Sequence, residues 1–265
     1  MNATYLLRMT RLELLLLWRN RTSMFTVVGL PVIFAALLPS LRGREVEGVD
    51  VALFTGTGYL ACFLIFSVFT HLVTVYTARR EDLVLKRLRG GAASDAEILG
   101  GTVLTGALMF AVQAVLLLAF LATVLDGRSV PADPLLLAAA LAAGTAVFAL
   151  LAGVVSAFTP TAEMAQITVL PIMFGCMLGS GVMFSLAGVP EGVREAARWL
   201  PLTPVVEIAR TAYFGQDFTV GGDHASLALA ERWLACLRPF AVLVLWGGVA
   251  HRVARRRFRW EPRHA

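Results

Sequence analysis

The chain has 265 residues, of which 58% are hydrophobic and only 15% charged, and its mean hydropathy is +0.74. Soluble domains carry roughly 45–50% apolar and about 25% charged residues, so this composition excludes an ordinary soluble fold and favours a membrane protein. The net charge of +5 is explained better by membrane topology than by nucleic-acid binding, because the basic residues flank apolar segments. The three cysteines have no C-x-x-C spacing, which disfavours a metal site or a disulfide framework.

The N-terminal segment 5–20 has leucines at helical spacing on one side and Arg8, Arg11 and Arg19 on the other. This pattern predicts an amphipathic helix that lies in the membrane interface with its charges toward water. A signal peptide is the competing interpretation. It fits poorly, because the basic region is too long and no small-residue cleavage site follows the apolar run.

Six apolar stretches are long enough to cross a bilayer as helices of about 20 residues. Helix-start signals precede three of them: a capping box at 94–97, an Asp-Pro pair at 133–134 and a Thr-Pro pair at 159–160. The longest connection, 188–231, separates the fifth stretch from the sixth. We therefore predict an all-α membrane protein with one transmembrane domain over residues 1–265, with spans at about 23–41, 51–76, 98–125, 135–158, 167–187 and 232–250.

Fifteen of the 23 basic residues lie before the first span (residues 1–22), in the loop after the second span and in the C-terminal tail. Lysine and arginine accumulate on the cytoplasmic side of membrane proteins, so we predict that both termini are cytoplasmic. The bias toward arginine and alanine is typical of a bacterial genome rich in G and C, which favours the plasma (inner) membrane of a bacterium.

The sequence does not match the signatures of two kinds of enzyme site. Lys86 is the only lysine and it follows Leu85, so the chain lacks the G-x-x-x-x-G-K-[ST] loop that holds nucleotide phosphates. The Gly-Ser-Gly sequence at 179–181 approaches the nucleophile of an intramembrane serine protease, but Leu178 stands where a glycine is needed. A membrane-embedded enzyme that acts on a lipid stays the alternative function, and a non-catalytic membrane assembly protein is a third.

Two segments resemble the signatures of one transporter family. The sequence RREDLVLKRLR at 79–89 resembles the loop between the second and third spans of type-2 ABC exporter permeases. The sequence WLPLTP at 199–204, followed by Arg210, is similar to the Leu-Pro-Leu-Thr-Pro element before the last span of that family. The amphipathic N-terminal helix, the six spans and the long outer loop match as well. A simple topology signal at 79–89 and an ordinary loop at 199–204 are the competing interpretations.

The resemblance implies a permease subunit, not an enzyme, that moves an amphiphilic or hydrophobic molecule such as a drug, antibiotic or lipid out of the cell. Polysaccharide export also occurs in the family. The permease would work as a homodimer or heterodimer with cytoplasmic ATPase subunits, which would bind ATP and magnesium, while this chain would bind no cofactor and no metal. The stretch 79–89 would be a coupling helix, with contacts to the ATPase from Glu81, Asp82, Leu85, Lys86, Arg87, Leu88 and Arg89.

The resemblance also implies that the second and fifth spans line the substrate path at the dimer interface. At 100° per residue, aromatic and hydroxyl side chains of the second span fall on one face, and Gly175 and Gly179 form a small-xxx-small pair on the fifth. Ordinary helix packing is the alternative for each residue. The residues expected to line the path are Tyr59, Phe63, Phe66, Thr70 and Thr74 on the second span, and Met177, Ser180 and Phe184 on the fifth.

The arrangement of basic residues gives a testable topology. A reporter that is active only in the cytoplasm should be active when it is fused after Arg89 or after Ala265, and inactive when it is fused at Gly221, because only the first two positions lie on the arginine-rich side. Activity at Gly221 comparable to that at Ala265 would contradict the six-span arrangement.

Overall fold

A computed structural model describes most of the chain, and within that part the chain is helical apart from one short hairpin and the connecting loops. Of the predicted amphipathic helix at 5–20, only five residues are described, and these are helical. The described residues are 10–12, 14–15, 24–84, 95–128, 130–182, 184–186, 188–219 and 223–257.

The first predicted span, 23–41, is a helix of mixed type. A π-helical turn at Phe25–Gly29 leads into α1 (Leu30–Leu37), which ends in a 3₁₀ turn at Leu38–Leu41. Its regular apolar part, Pro31–Leu41, is about 16 Å long at 1.5 Å per residue, roughly half the thickness of a bilayer core.

A two-stranded antiparallel hairpin links the first span to the second. Its strands are β1 (Glu45–Val46) and β2 (Val49–Asp50). Asp50 then caps the next helix, because its Oδ1 accepts a hydrogen bond of 2.8 Å from the backbone N–H of Ala52.

Among the described helices that are long and apolar enough to cross a membrane, the second span is the most deeply buried. It consists of α2 (Val51–Leu64), a π-helical segment (Ile65–Thr70) and α3 (His71–Glu81), which together form one continuous helix of 31 residues. The predicted span ended at residue 76, whereas the helix continues to Glu81. This extension carries Arg79 and Arg80, which matter for the site described below.

Three further helices are long and apolar enough to cross a membrane: α4 (Asp95–Val124), α5 (Pro134–Phe158) and α6 (Ala162–Gly179). The fifth predicted span, 167–187, differs from α6 at both ends. Thr161 caps the start of α6 by accepting from the N–H of Met164 at 3.3 Å, and the chain turns at Gly181, where φ is +67°. The start signal read at 159–160 therefore lies in the connection, where Thr159 ends α5 instead.

The long connection between the fifth and sixth spans contains α7 (Glu191–Ala197) and α8 (Thr203–Phe214). Every residue of α8 is buried, and α8 packs against α2 and α5. Pro204 occupies the first turn of α8, where a missing N–H is tolerated. The 199–204 element thus positions the start of a buried helix.

The last span is broken. Helices α9 (Leu229–Ala235) and α10 (Leu237–Arg257) are bent by 43° relative to each other. Pro239 explains the bend, because a proline ring clashes with the carbonyl four residues earlier, here that of Ala235. The described residues thus contain four helices that could each cross a membrane, or five if α9 and α10 form one span. The protein is an all-α membrane protein.

Gly58 allows the turn after α6 to lie directly on α2. A Cβ atom at this position would be 2.3 Å from the carbonyl oxygen of Val182 and 3.1 Å from the guanidinium of Arg210. A backbone atom cannot yield to such a contact as the end of a flexible side chain would. The packing of α2 against this turn therefore requires glycine.

We expect Gly58→Ala to destabilise the protein by about 1–3 kcal/mol, the usual cost of overpacking. Thermal unfolding of the purified protein in detergent would show this as a lower Tm. Gly248→Ala is the matched control, because a Cβ at Gly248 of α10 meets nothing within 4 Å and alanine is the better helix former. Equal Tm values for Gly58→Ala and the wild type would contradict the close packing of α2 on the turn.

Candidate functional site

The end of α3 leads into the predicted coupling segment. Glu81 is the last residue of α3, and Asp82 follows it as the C-cap. Leu83 has a left-handed backbone conformation (φ 58°), which is uncommon for leucine and ends the helix abruptly. The other predicted coupling residues, Leu85, Lys86, Arg87, Leu88 and Arg89, lie outside the described part of the chain.

Arg80 is buried, with only 2% of its surface exposed. Its Nη1 donates to the carbonyl oxygen of Ser156 at 2.7 Å, and its Nη2 donates to the carbonyl oxygens of Thr159 and Pro160. These acceptors lie at and just beyond the C-terminal end of α5, where carbonyl groups have no partner within the helix and the helix dipole is negative. A hydrogen bond to a charged group contributes about 1.5–3 kcal/mol, so Arg80 is a strong cap for α5.

Glu81 contacts the other side of the same connection. Its Oε2 accepts a hydrogen bond of 2.7 Å from the backbone N–H of Ala162, the first residue of α6. A carboxylate is favourable there, because the N-terminal end of a helix is positive. Neighbouring residues of α3 therefore bind the end of α5 and the start of α6, each with the sign of charge that suits it.

Arg79 adds a contact to a third helix, since its Nη1 donates to the hydroxyl of Thr102 on α4 at 2.8 Å. We call Arg79, Arg80 and Glu81 the α3 clamp. The clamp joins the end of α3 to α4, α5 and α6 at the start of the predicted coupling stretch 79–89.

A second buried arginine caps α6 at its other end. Arg210 of α8, which is 6% exposed, donates from Nη2 to the carbonyl oxygens of Gly181 and Val182 at 2.8 and 3.2 Å. Its guanidinium also lies 3.5 Å from the ring centroid of Phe54, in a cation–π contact. Burial lowers the pKa of Arg210 to about 9, with Glu47 and Glu207 opposing the shift, so the group keeps its charge at neutral pH.

The predicted path residues of the second span pack partly against the first span. Tyr59 and Phe63 are buried, and the ring of Tyr59 lies 5.0 Å from that of Phe34, which also lies 6.5 Å from the ring of Phe66. The hydroxyl of Thr74 donates to the carbonyl of Thr70 at 2.9 Å. The π-helical segment Ile65–Thr70 contains Phe66 and Thr70 and lies between Phe63 and Thr74. It therefore changes the angular spacing of these side chains from the value expected for a continuous α-helix.

The predicted path residues of the fifth span are separated from one another. Met177 and Ser180 are buried at the end of α6, whereas Phe184 lies in the following loop and is 65% exposed. The eight path residues do not form one open surface in the single chain. Their assignment to a substrate path stays a prediction.

A cleft of about 720 Å³ opens between α1 and α4. Apolar side chains form its described lining, apart from Gln113. The Oε1 of Gln113 accepts a hydrogen bond of 2.5 Å from the hydroxyl of Ser67. Phe63, one of the predicted path residues, contributes to its wall. The sequence does not predict this cleft, because its walls consist of ordinary apolar residues. The available signal was an amide, that of Gln113, in the middle of an apolar span.

The comparison with known families decides the class of protein. The sequence profile described as "ABC-2 family transporter protein" matches residues 45–250, more than half of the chain. The chain belongs to the ABC-2 transporter family. A comparison with curated protein sequences gives no match.

Membership of the ABC-2 family confirms the resemblance seen in the two sequence segments. The chain is therefore an ABC transporter permease and a multi-pass membrane protein, and members of this family associate in general with an ATP-binding subunit. The matched residues include the α3 clamp and all of α8. The sequence predicts a coupling role for the stretch that begins with Arg79 and Arg80, but it does not predict their contacts with α4 and α5.

Proposed function

We propose that this chain is the membrane subunit of an ATP-driven exporter and that it moves an amphiphilic or hydrophobic molecule, such as a drug, antibiotic or lipid, out of the cell. The observation that carries the proposal is the family match over residues 45–250. The site at the end of α3 supports it, because the clamp joins three helices to the segment where a cytoplasmic ATPase is expected to bind.

The proposed arrangement has six spans, with both termini in the cytoplasm of a bacterial cell. The mixed helix at 24–41 would be the first span, and the bent pair α9–α10 would be the sixth. The permease would work as a homodimer or heterodimer with two ATPase subunits, and ATP and magnesium would bind to those subunits. The basic residues of the sequence support this orientation.

The cleft between α1 and α4 supports a hydrophobic substrate. Its volume of about 720 Å³ lies in the range of roughly 300–1,000 Å³ that is typical of small-molecule sites. Apolar cavities do not hold water, which needs two to four polar partners. A hydrocarbon portion of a substrate could fill the cleft from the side of the membrane, with the Ser67–Gln113 pair available near it.

A membrane enzyme that acts on a lipid is the alternative. A purified chain that changes phospholipids without an ATPase and without ATP, detected by mass spectrometry of the extracted lipids, would favour that alternative. We expect no such change, and we expect the purified chain alone to hydrolyse no ATP, because its only lysine lacks a glycine loop.

The coupling proposal is tested at Leu88. We expect Leu88→Asp to leave the protein inserted in the membrane but to abolish co-purification with the ATPase, because a charge introduced into an apolar contact is costly. Arg89→Gln is the matched control and should have a mild effect, since an exposed ion pair contributes only about 0–1 kcal/mol. If Leu88→Asp keeps wild-type binding and substrate-stimulated ATPase activity, the segment is only a topology signal.

The cleft is tested by filling it. We expect Leu116→Trp to raise the KM for transport of rhodamine, ethidium or an NBD-labelled phospholipid by about tenfold, because overpacking a site costs roughly 1–3 kcal/mol. Val244→Trp on α10 is the control, since Val244 is exposed outside the cleft. Transport assays in proteoliposomes would measure both variants. An unchanged KM in Leu116→Trp for every probe that the wild type transports would exclude the cleft from substrate binding.

A further inference from the structure

We propose that the α3 clamp is a positioning element that makes the α5–α6 connection move together with the coupling segment. This inference rests on the proposed function, because it concerns how movement of the ATPase reaches the helices. It goes beyond that proposal by assigning the transmission to the hydrogen bonds that Arg80 and Glu81 make with the α5–α6 connection, a role distinct from the ATPase contact predicted for Glu81.

The geometry of the connection favours a rigid link. Only residues 159–161 separate α5 from α6. Arg80 binds the carbonyl groups of Ser156 and Thr159 at the end of α5, and Glu81 binds the N–H of Ala162 at the start of α6. The two ends of the connection are therefore held by adjacent residues of one helix, and α3 also packs against both α5 and α6.

The position of the helix end adds to this link. The turn at Asp82 and Leu83 follows Glu81 directly, and the N–H of Leu83 donates to the carbonyl of Arg80 at 3.1 Å. The clamp and the rest of the predicted coupling stretch 79–89 are therefore continuous in sequence. A displacement of that segment would therefore act on the clamp itself.

Helix α6 carries the displacement toward the predicted path. It has 18 residues and is about 27 Å long at 1.5 Å per residue. Met177 and Ser180, two predicted path residues, lie at its far end and are buried. A tilt applied at Ala162 would therefore move groups near the proposed substrate path.

If the role of the clamp were purely structural, losing it would have the same effect as losing a similar contact elsewhere in the protein. The protein offers a matched control, because Glu231 is also an exposed carboxylate that accepts a hydrogen bond of 2.7 Å from a backbone N–H at a helix start, that of Ala228 before α9. Arg210 is the corresponding control for Arg80, since both are buried arginines that bind carbonyl groups at a helix end. Neither control residue lies next to the coupling segment.

The experiment uses the full permease with its ATPase in lipid nanodiscs, and measures Tm, basal ATPase activity and the ratio of rhodamine-stimulated to basal activity. We expect Glu81→Ala to lower this ratio, measured per bound ATPase, at least fivefold; because Glu81 is also a predicted ATPase contact, the amount of co-purified ATPase is measured beside it. Glu81→Gln should restore at least half of the ratio, because an amide oxygen still accepts from Ala162. Glu231→Ala should leave the ratio unchanged.

Arg80→Gln and Arg210→Gln should both lower Tm, but only Arg80→Gln should lower the ratio. Because Glu81 is exposed, the Glu81 variants are expected to fold even if Arg80→Gln does not. A wild-type ratio in Glu81→Ala, or an equal loss in Glu81→Ala and Glu231→Ala, would overturn the inference and leave the proposed function intact. A wild-type chain that binds no ATPase would overturn the proposed function instead.

Discussion

Helix ends govern this fold, because a helix in hydrocarbon leaves four N–H and four C=O groups without partners at its termini. In the described residues, two buried arginines satisfy such groups from neighbouring helices. Arg80 binds the end of α5, and Arg210 binds the turn after α6. Each arginine thereby supplies hydrogen-bond donors to unpaired carbonyl groups and, by doing so, joins distant parts of the chain. Helix α3 also packs on α5, and α8 packs on α2.

Regular spans could be predicted from the sequence, because a long apolar run that follows a helix-start signal forms a transmembrane helix, in which the backbone groups bond to one another. Helix α5 begins at Pro134 after the cap Asp133, whose Oδ1 accepts from the N–H of Leu136 at 2.9 Å. The short helices α7 and α8 lie within the long connection 188–231 that the sequence predicts between the fifth and sixth spans. The first and last spans differ more from their predicted form. The π and 3₁₀ turns of the first span and the bend at Pro239 in the last depend on local backbone geometry, which a hydropathy pattern does not describe.

The candidate site was harder to predict for a different reason. Arginines at the end of a span satisfy the positive-inside rule whether they face water or protein, so the sequence alone does not distinguish Arg80, which is buried, from an ordinary topology signal. The predicted path on the second span assumed 100° per residue throughout. The π-helical segment Ile65–Thr70 breaks that spacing. The angle between Tyr59 and Thr74 around the helix axis could therefore not be predicted from the sequence.

The brevity of the α5–α6 connection limits how this permease can be modified. Backbone at 159–161 is bound on both sides by side chains of α3, so an added residue would have to break those hydrogen bonds, and insertions succeed best where the backbone is exposed and unbound. The hairpin between α1 and α2 offers the opposite situation. Its tip at Gly48 is exposed and has open space around it, and only the glycine itself must be kept, because its φ is +75°. A fluorophore or an affinity tag for following this protein in membranes therefore belongs at the hairpin, where the chain has room for it.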